Sequence, residues 1–136
     1  MSWKQYDYTG QWSERYGVVY QPLLQVKLSN GNQSFWPLAL IDSGAHATVA
    51  NSEIASELGI NLAPCPTRKV GGVGTALGRE CDVGLDIPDF GISQKISVLF
   101  VDNLPFNMLL GQRDFFSVLD VRFEKAKNKF YLRRST

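Results

Sequence analysis

Asp42-Ser43-Gly44 combines a carboxylate, a hydroxyl and a glycine directly after the apolar run Leu38-Ala39-Leu40-Ile41. This order puts the aspartate where a buried strand ends and the backbone turns sharply. A carboxylate there is partly desolvated and held by its neighbours, which suits it to taking and giving protons. The chain carries this triplet once, so chemistry that needs two carboxylates must draw the second from another copy of the chain. Other reactive residue types are less well placed. Ser43 lacks the Gly-x-Ser-x-Gly elbow of a serine nucleophile. Cys65 and Cys81 have only His46 as a possible base, and nothing ties them to it. Two distant cysteines and one histidine do not make a zinc set, and no metal site is expected. The cysteines could pair, but two cysteines in a chain without a leader are ordinarily free thiols.

The elements that must position Asp42 are strands. Val18 to Leu28 is β-rich, with Pro22 marking an edge or a bulge. Ser29-Asn30-Gly31-Asn32 is a turn cluster, and Phe35 to Ile41 returns as a strand that suits burial on both faces. Asn51 or Ser52 can cap a short helix that carries Ile54 and Leu58 on one side and ends at Gly59. Thr67 to Val70 and Thr75 to Ile87 flank Gly71-Gly72-Val73-Gly74, which describes a hairpin with a glycine-rich tip. Pro88-Asp89-Phe90-Gly91 turns into a strand over Ile92 to Val101. Met108-Leu109-Leu110 is a short buried strand stopped by Gly111, and Gln112 to Ser117 gives one or two helical turns. Val118 to Phe123 and Lys129 to Leu132 make a final hairpin. Many short strands with closely spaced turns argue an all-β barrel or sandwich with two short helices. The tryptophans and tyrosines are expected in the core or at an interface.

The totals agree with one soluble domain. The chain has 136 residues, 44% apolar and 20% charged, with a net charge of +1. No basic block suggests nucleic-acid binding, and no apolar stretch suggests a membrane span. The N-terminus lacks a signal-peptide h-region, so the cytoplasm is the expected compartment. Residues 1–17 read as an N-terminal arm, which could cover a cleft, join a dimer or be a processed segment. Residues 18–136 form the expected domain.

Three features follow one another in order: Leu40-Ile41-Asp42-Ser43-Gly44-Ala45, the glycine-rich tip at Gly71 to Gly74, and Leu109-Leu110-Gly111 before a short helix. Together they resemble a retroviral-type, or retropepsin-like, aspartic protease. The bacterial and cellular members with one motif per chain are the most similar, also in Met108-Leu-Leu-Gly-Gln-Arg-Asp-Phe-Phe, Val121-Arg-Phe and Phe130-Tyr-Leu. The resemblance implies a retropepsin-like closed barrel with a glycine-rich flap hairpin. It implies a homodimeric aspartic endopeptidase acting on extended protein or peptide segments without metal or organic cofactor. Asp42 from each chain would activate a water, Ser43 would hydrogen-bond to the partner's loop, and Gly44 would let the chain pass beneath. Ala45, Gly71, Gly72, Val73, Gly74 and Leu110 would contact substrate. Two departures stand out. His46 and Gln112 replace an acid and an arginine that often pair in retroviral members, so Arg113 or Asp114 is expected to take over that structural role. The N-terminal arm has no counterpart in the minimal retroviral enzyme. The alternative is a catalytically silent module of the same fold that binds peptides or serves assembly.

Overall fold

A computed structural model describes residues 2–70 and 76–136. Gly71, Gly72, Val73 and Gly74 lie outside the described residues.

The chain opens with β1 (Lys4–Asp7), β2 (Thr9–Ser13) and β3 (Gly17–Gln21). It continues through β4 (Leu23–Gln25), β5 (Lys27–Asn30), β6 (Gln33–Phe35) and β7 (Leu38–Ile41). The register shows that the last four are a single long hairpin. Leu23 faces Leu40, Gln25 faces Leu38, and the same spacing continues with Leu28 facing Phe35 and Asn30 facing Gln33. Its tip is the expected turn, with Gly31 at φ 59°. It bends where Val26 N–H donates to the Pro37 carbonyl at 3.1 Å, because Pro37 has no N–H to continue the ladder.

Beyond the turn at Asp42 come β8 (Thr48–Asn51), α1 (Ser52–Glu57), β9 (Thr67–Lys69), β10 (Leu77–Ile87), β11 (Ile92–Val101) and β12 (Met108–Leu110). The main sheet runs β4-β7-β12-β8-β11-β10-β5-β6, with β9 paired to β10. Its two ends are the two halves of that one hairpin, so the sheet curls round and meets itself as a barrel. Alternation along the strands aims Val26, Leu28, Ala39, Ile41, Leu85 and Val98 into a common core. The helix α1 packs against that core with Ile54, Ala55 and Leu58. Asn51 caps it, its side chain accepting the Glu53 N–H, and Gly59 leaves it at φ 67°. No helix of the described residues is long and apolar enough to cross a membrane.

After Gly111 the chain makes one helical turn, Gln112–Phe116, and ends in β13 (Leu119–Glu124) and β14 (Lys129–Arg134). These form a second sheet, β1-β14-β13. Phe130 and Leu132 of its central strand are wholly buried, and Tyr6 stacks on Phe130 with ring centroids 5.1 Å apart. The segment expected as an arm thus supplies a strand to this sheet, and β2 pairs with β3 across the boundary at residue 17.

Two expectations about packing need correction. Trp12 is 75% exposed and Trp36 47%, so of the two expected places, core or interface, the core is excluded for both. Trp3 is partly buried, against the guanidinium groups of Arg122 and Arg133. The cysteines are not free thiols: Cys65 and Cys81 are joined by a disulfide. The sequence hid this because the two residues become neighbours only when β9 pairs with β10.

Candidate active site

The candidate site grows from the end of β7. Ala39 and Ile41 point into the core while Leu38 and Leu40 face outward, so the strand is buried on one face and not on both. Its parallel neighbour β12 sets Leu110 opposite Ile41, and the Leu110 carbonyl accepts the Asp42 N–H at 3.1 Å. There the chain turns. Ala45 N–H donates to the Asp42 carbonyl at 3.2 Å, and Gly44 N–H donates to Asp42 Oδ1 at 2.9 Å. The second bond aims the carboxylate, whose other oxygen has no hydrogen-bond partner among the described residues. A side chain at Gly44 would place its Cβ 3.2 Å from Oδ1.

A second segment straps this loop down. Gln112 N–H donates to the Ala45 carbonyl at 2.8 Å and Arg113 N–H to the His46 carbonyl at 2.9 Å. The Gln112 side chain donates to the Ser43 carbonyl at 2.7 Å. Gly111 is required for this approach, because a Cβ there would lie 2.6 Å from the Ala47 carbonyl oxygen. Buried Thr48 offers its hydroxyl oxygen to the Gly111 N–H at 3.4 Å. Gln112 thus holds the loop through a neutral bond to its backbone. Arg113 donates to the Ser97 carbonyl at 2.8 Å and lies 3.5 Å from Asp114, tying the helical turn to β11.

Asp42 lies half-buried in a cleft of about 670 Å³. Gly44, Ala45 and His46 line it near the carboxylate. Val49, Leu99, Leu104, Phe106 and Leu109 make an apolar wall, and Lys69 and Val70 close one side. Val70 packs on the cluster of Val49, Leu99 and Val101, which holds the β9 end of the hairpin against the cleft. Ser43 is exposed at the turn, beside the carboxylate. The structure therefore brings Asp42, Gly44 and Ala45 into one cleft with Ser43 at its edge.

Leu110, expected to contact substrate, is wholly buried, and Leu109 reaches the cleft instead. The physical reason is strand alternation: Leu110 faces the core with its partner Ile41, so its neighbour must face out. The wall residues Val49, Leu99, Leu104 and Phe106 were missed because three separate segments supply them. Among the described residues no three His, Cys, Asp or Glu side chains are grouped to hold a metal ion. The arrangement offers a backbone-aimed carboxylate in an apolar groove.

Two solved structures share this architecture. A retropepsin-like aspartic protease from Rickettsia conorii aligns with a TM-score of 0.62 at 17% identity, over 96% of this chain and 91% of its own. The EIAV protease complexed with an inhibitor aligns with a TM-score of 0.51 at 19% identity, over 68% of this chain and 82% of its own. No protein-family description and no curated protein sequence matches the chain. The fold is retropepsin-like and all-β, and at these identities the likeness is one of fold.

Proposed function

We propose that the chain is a homodimeric aspartic endopeptidase. The observation that carries this reading is a single Asp42 carboxylate per chain, aimed by the Gly44 N–H at the floor of an apolar cleft on a retropepsin-like fold. One carboxylate is half of the chemistry. A two-fold axis beside the exposed Ser43 and Gly44 would bring a second Asp42 against the first. Two carboxylates that close cannot both ionise cheaply, so the pair would hold one proton between them. The ionised member takes a proton from a water, and the protonated member polarises the scissile carbonyl. Ser43 binds across to the partner's loop, and Ala45 lies against the substrate. The substrate is an extended peptide with apolar side chains at the cut, matched to Val49, Leu99, Leu104, Phe106 and Leu109.

The test is cleavage of a mixed peptide library from acidic to neutral pH, with wild type beside Asp42→Asn and products identified by mass spectrometry. Cleavage next to apolar residues that disappears in the variant is the expected result. Equal cleavage by both proteins would remove Asp42 from the mechanism. No cleavage by a folded, dimeric wild type would favour the silent peptide-binding module.

A further inference from the structure

We infer that the Cys65–Cys81 disulfide is a redox-reactive site, opened by a dithiol reductant from the Cys65 side, and that opening it releases β9 from the wall of the Asp42 cleft. The position of the bond follows from register. Thr67 faces Arg79 and Lys69 faces Leu77, so the next pair on the same face, two residues further down, is Cys65 and Cys81. The Glu80 N–H still donates to the Pro66 carbonyl at 2.9 Å between them. The bond thus clasps the base of the β9–β10 hairpin.

The two sulfurs differ in access. Cys81 is 7% exposed in β10, paired with Val98 of β11. Cys65 is half-buried and is the more exposed of the two; both cysteines border an open depression of about 530 Å³ with Ile60, Pro64 and Glu80. A thiolate entering there attacks Cys65 Sγ. The S–S bond breaks, and Cys81 Sγ leaves with the electron pair and takes up a proton. The reductant's second thiolate resolves the mixed disulfide, freeing Cys65 as a thiol and leaving the reductant as its own disulfide. Two electrons and two protons pass to the protein.

Besides the disulfide, the near strand is held among the described residues by its pairing with β10, by the Val70 N–H bond to the Ala76 carbonyl at 3.0 Å and by the packing of Val70 on Val49, Leu99 and Val101. Thr67, Arg68 and Lys69 are all exposed, and among the described residues β9 pairs with β10 alone. Arg79 reaches the carbonyls of Ala63 and Cys65 at 3.3 and 3.0 Å, across a surface open to water. Val70 and Lys69 carry this strand into the cleft. Clasp and cleft therefore share one short element, and a reducing compartment would loosen it while an oxidising one fixes it.

The test is backbone hydrogen exchange read by mass spectrometry on the native protein, oxidised and after excess dithiothreitol, beside Cys65→Ala. The expected result is two titratable thiols after reduction without denaturant. Exchange over 66–70 and 76–80 then speeds up at least about tenfold while β11 to β14 keep their protection. Cys65→Ala should exchange like the reduced protein in both conditions; if it does not fold, the reduced wild type decides. Thiols that stay unreactive in the native protein, equal exchange in both states, or protection lost throughout the barrel would overturn the inference. Any effect on peptide cleavage rests on the proposed role of Asp42, whereas the exchange readout does not. A protein that cleaves nothing yet releases β9 would refute that role and leave this inference standing.

Discussion

Gly111→Ala tests how the Asp42 loop is held. The added methyl would sit 2.6 Å from the Ala47 carbonyl oxygen, 2.8 Å from its carbon and 2.9 Å from the Ala45 oxygen. All three are backbone atoms, so no side chain can swing aside. An ordinary carbon–oxygen contact is about 3.3 Å, so the loop must retreat by about 0.7 Å. That retreat draws the Ala45 and His46 carbonyls from the Gln112 and Arg113 N–H groups, now at 2.8 and 2.9 Å. Overpacking costs about 1–3 kcal/mol and each of the two weakened bonds about 1 kcal/mol, which gives a loss of about 3–5 kcal/mol. Urea unfolding should show a lower midpoint with an unchanged slope. Gly44→Ala is the control. Among the described residues its Cβ would meet only Asp42 Oδ1, at 3.2 Å, so it should cost about 1 kcal/mol or less. A Gly111→Ala protein within about 0.5 kcal/mol of wild type would refute the strapping of this loop by the segment after β12.

Other consequences are equally open to measurement. Phe130→Ala should cost about 3–5 kcal/mol in the same urea assay, because the ring is wholly buried and stacked with Tyr6. Asp89 anchors β1 to the Pro88–Phe90 turn through Lys4 at 2.7 Å and Tyr6 at 2.8 Å. Those hydrogen bonds, that from Lys4 first, hold its carboxyl below the usual carboxylate range. Its contribution is therefore present above the unfolded value near about pH 4 and is lost as pH falls through the lower folded value. At this exposure it amounts to about 0.5–1 kcal/mol, and Asp89→Asn should flatten the acid limb of the stability curve by that amount. If the two chains share one site, the unfolding temperature should rise with protein concentration; a concentration-independent value would argue for an independent monomer.

Much of the fold was legible where the cause is local. Gly31 and Asn51 act within a few residues, so the long hairpin and the cap of α1 could be read from sequence. The loop at Asp42 was legible for the same reason: an apolar strand must stop before a carboxylate and a glycine. Features built by distant partners were not. The strand Thr48–Asn51 exists because β11 pairs with it in parallel and β12 on its other side, and no local period announces it. The choice between Leu109 and Leu110 for the cleft depends on pairing with β7, set by contacts about 70 residues apart in sequence. The Cys65–Cys81 bond needed the β9–β10 register, and exposed Trp12 shows that residue type alone does not fix burial.

Whether one functional site needs Asp42 from two chains is decided by mixing wild type with Asp42→Asn. Subunits are allowed to exchange at constant total protein, and peptide cleavage is followed as the wild-type fraction falls. If each site needs both carboxylates, activity follows the square of that fraction, about one quarter at an equal mixture. A linear decline, with about one half remaining, would mean that each chain works alone and would contradict the shared carboxylate pair.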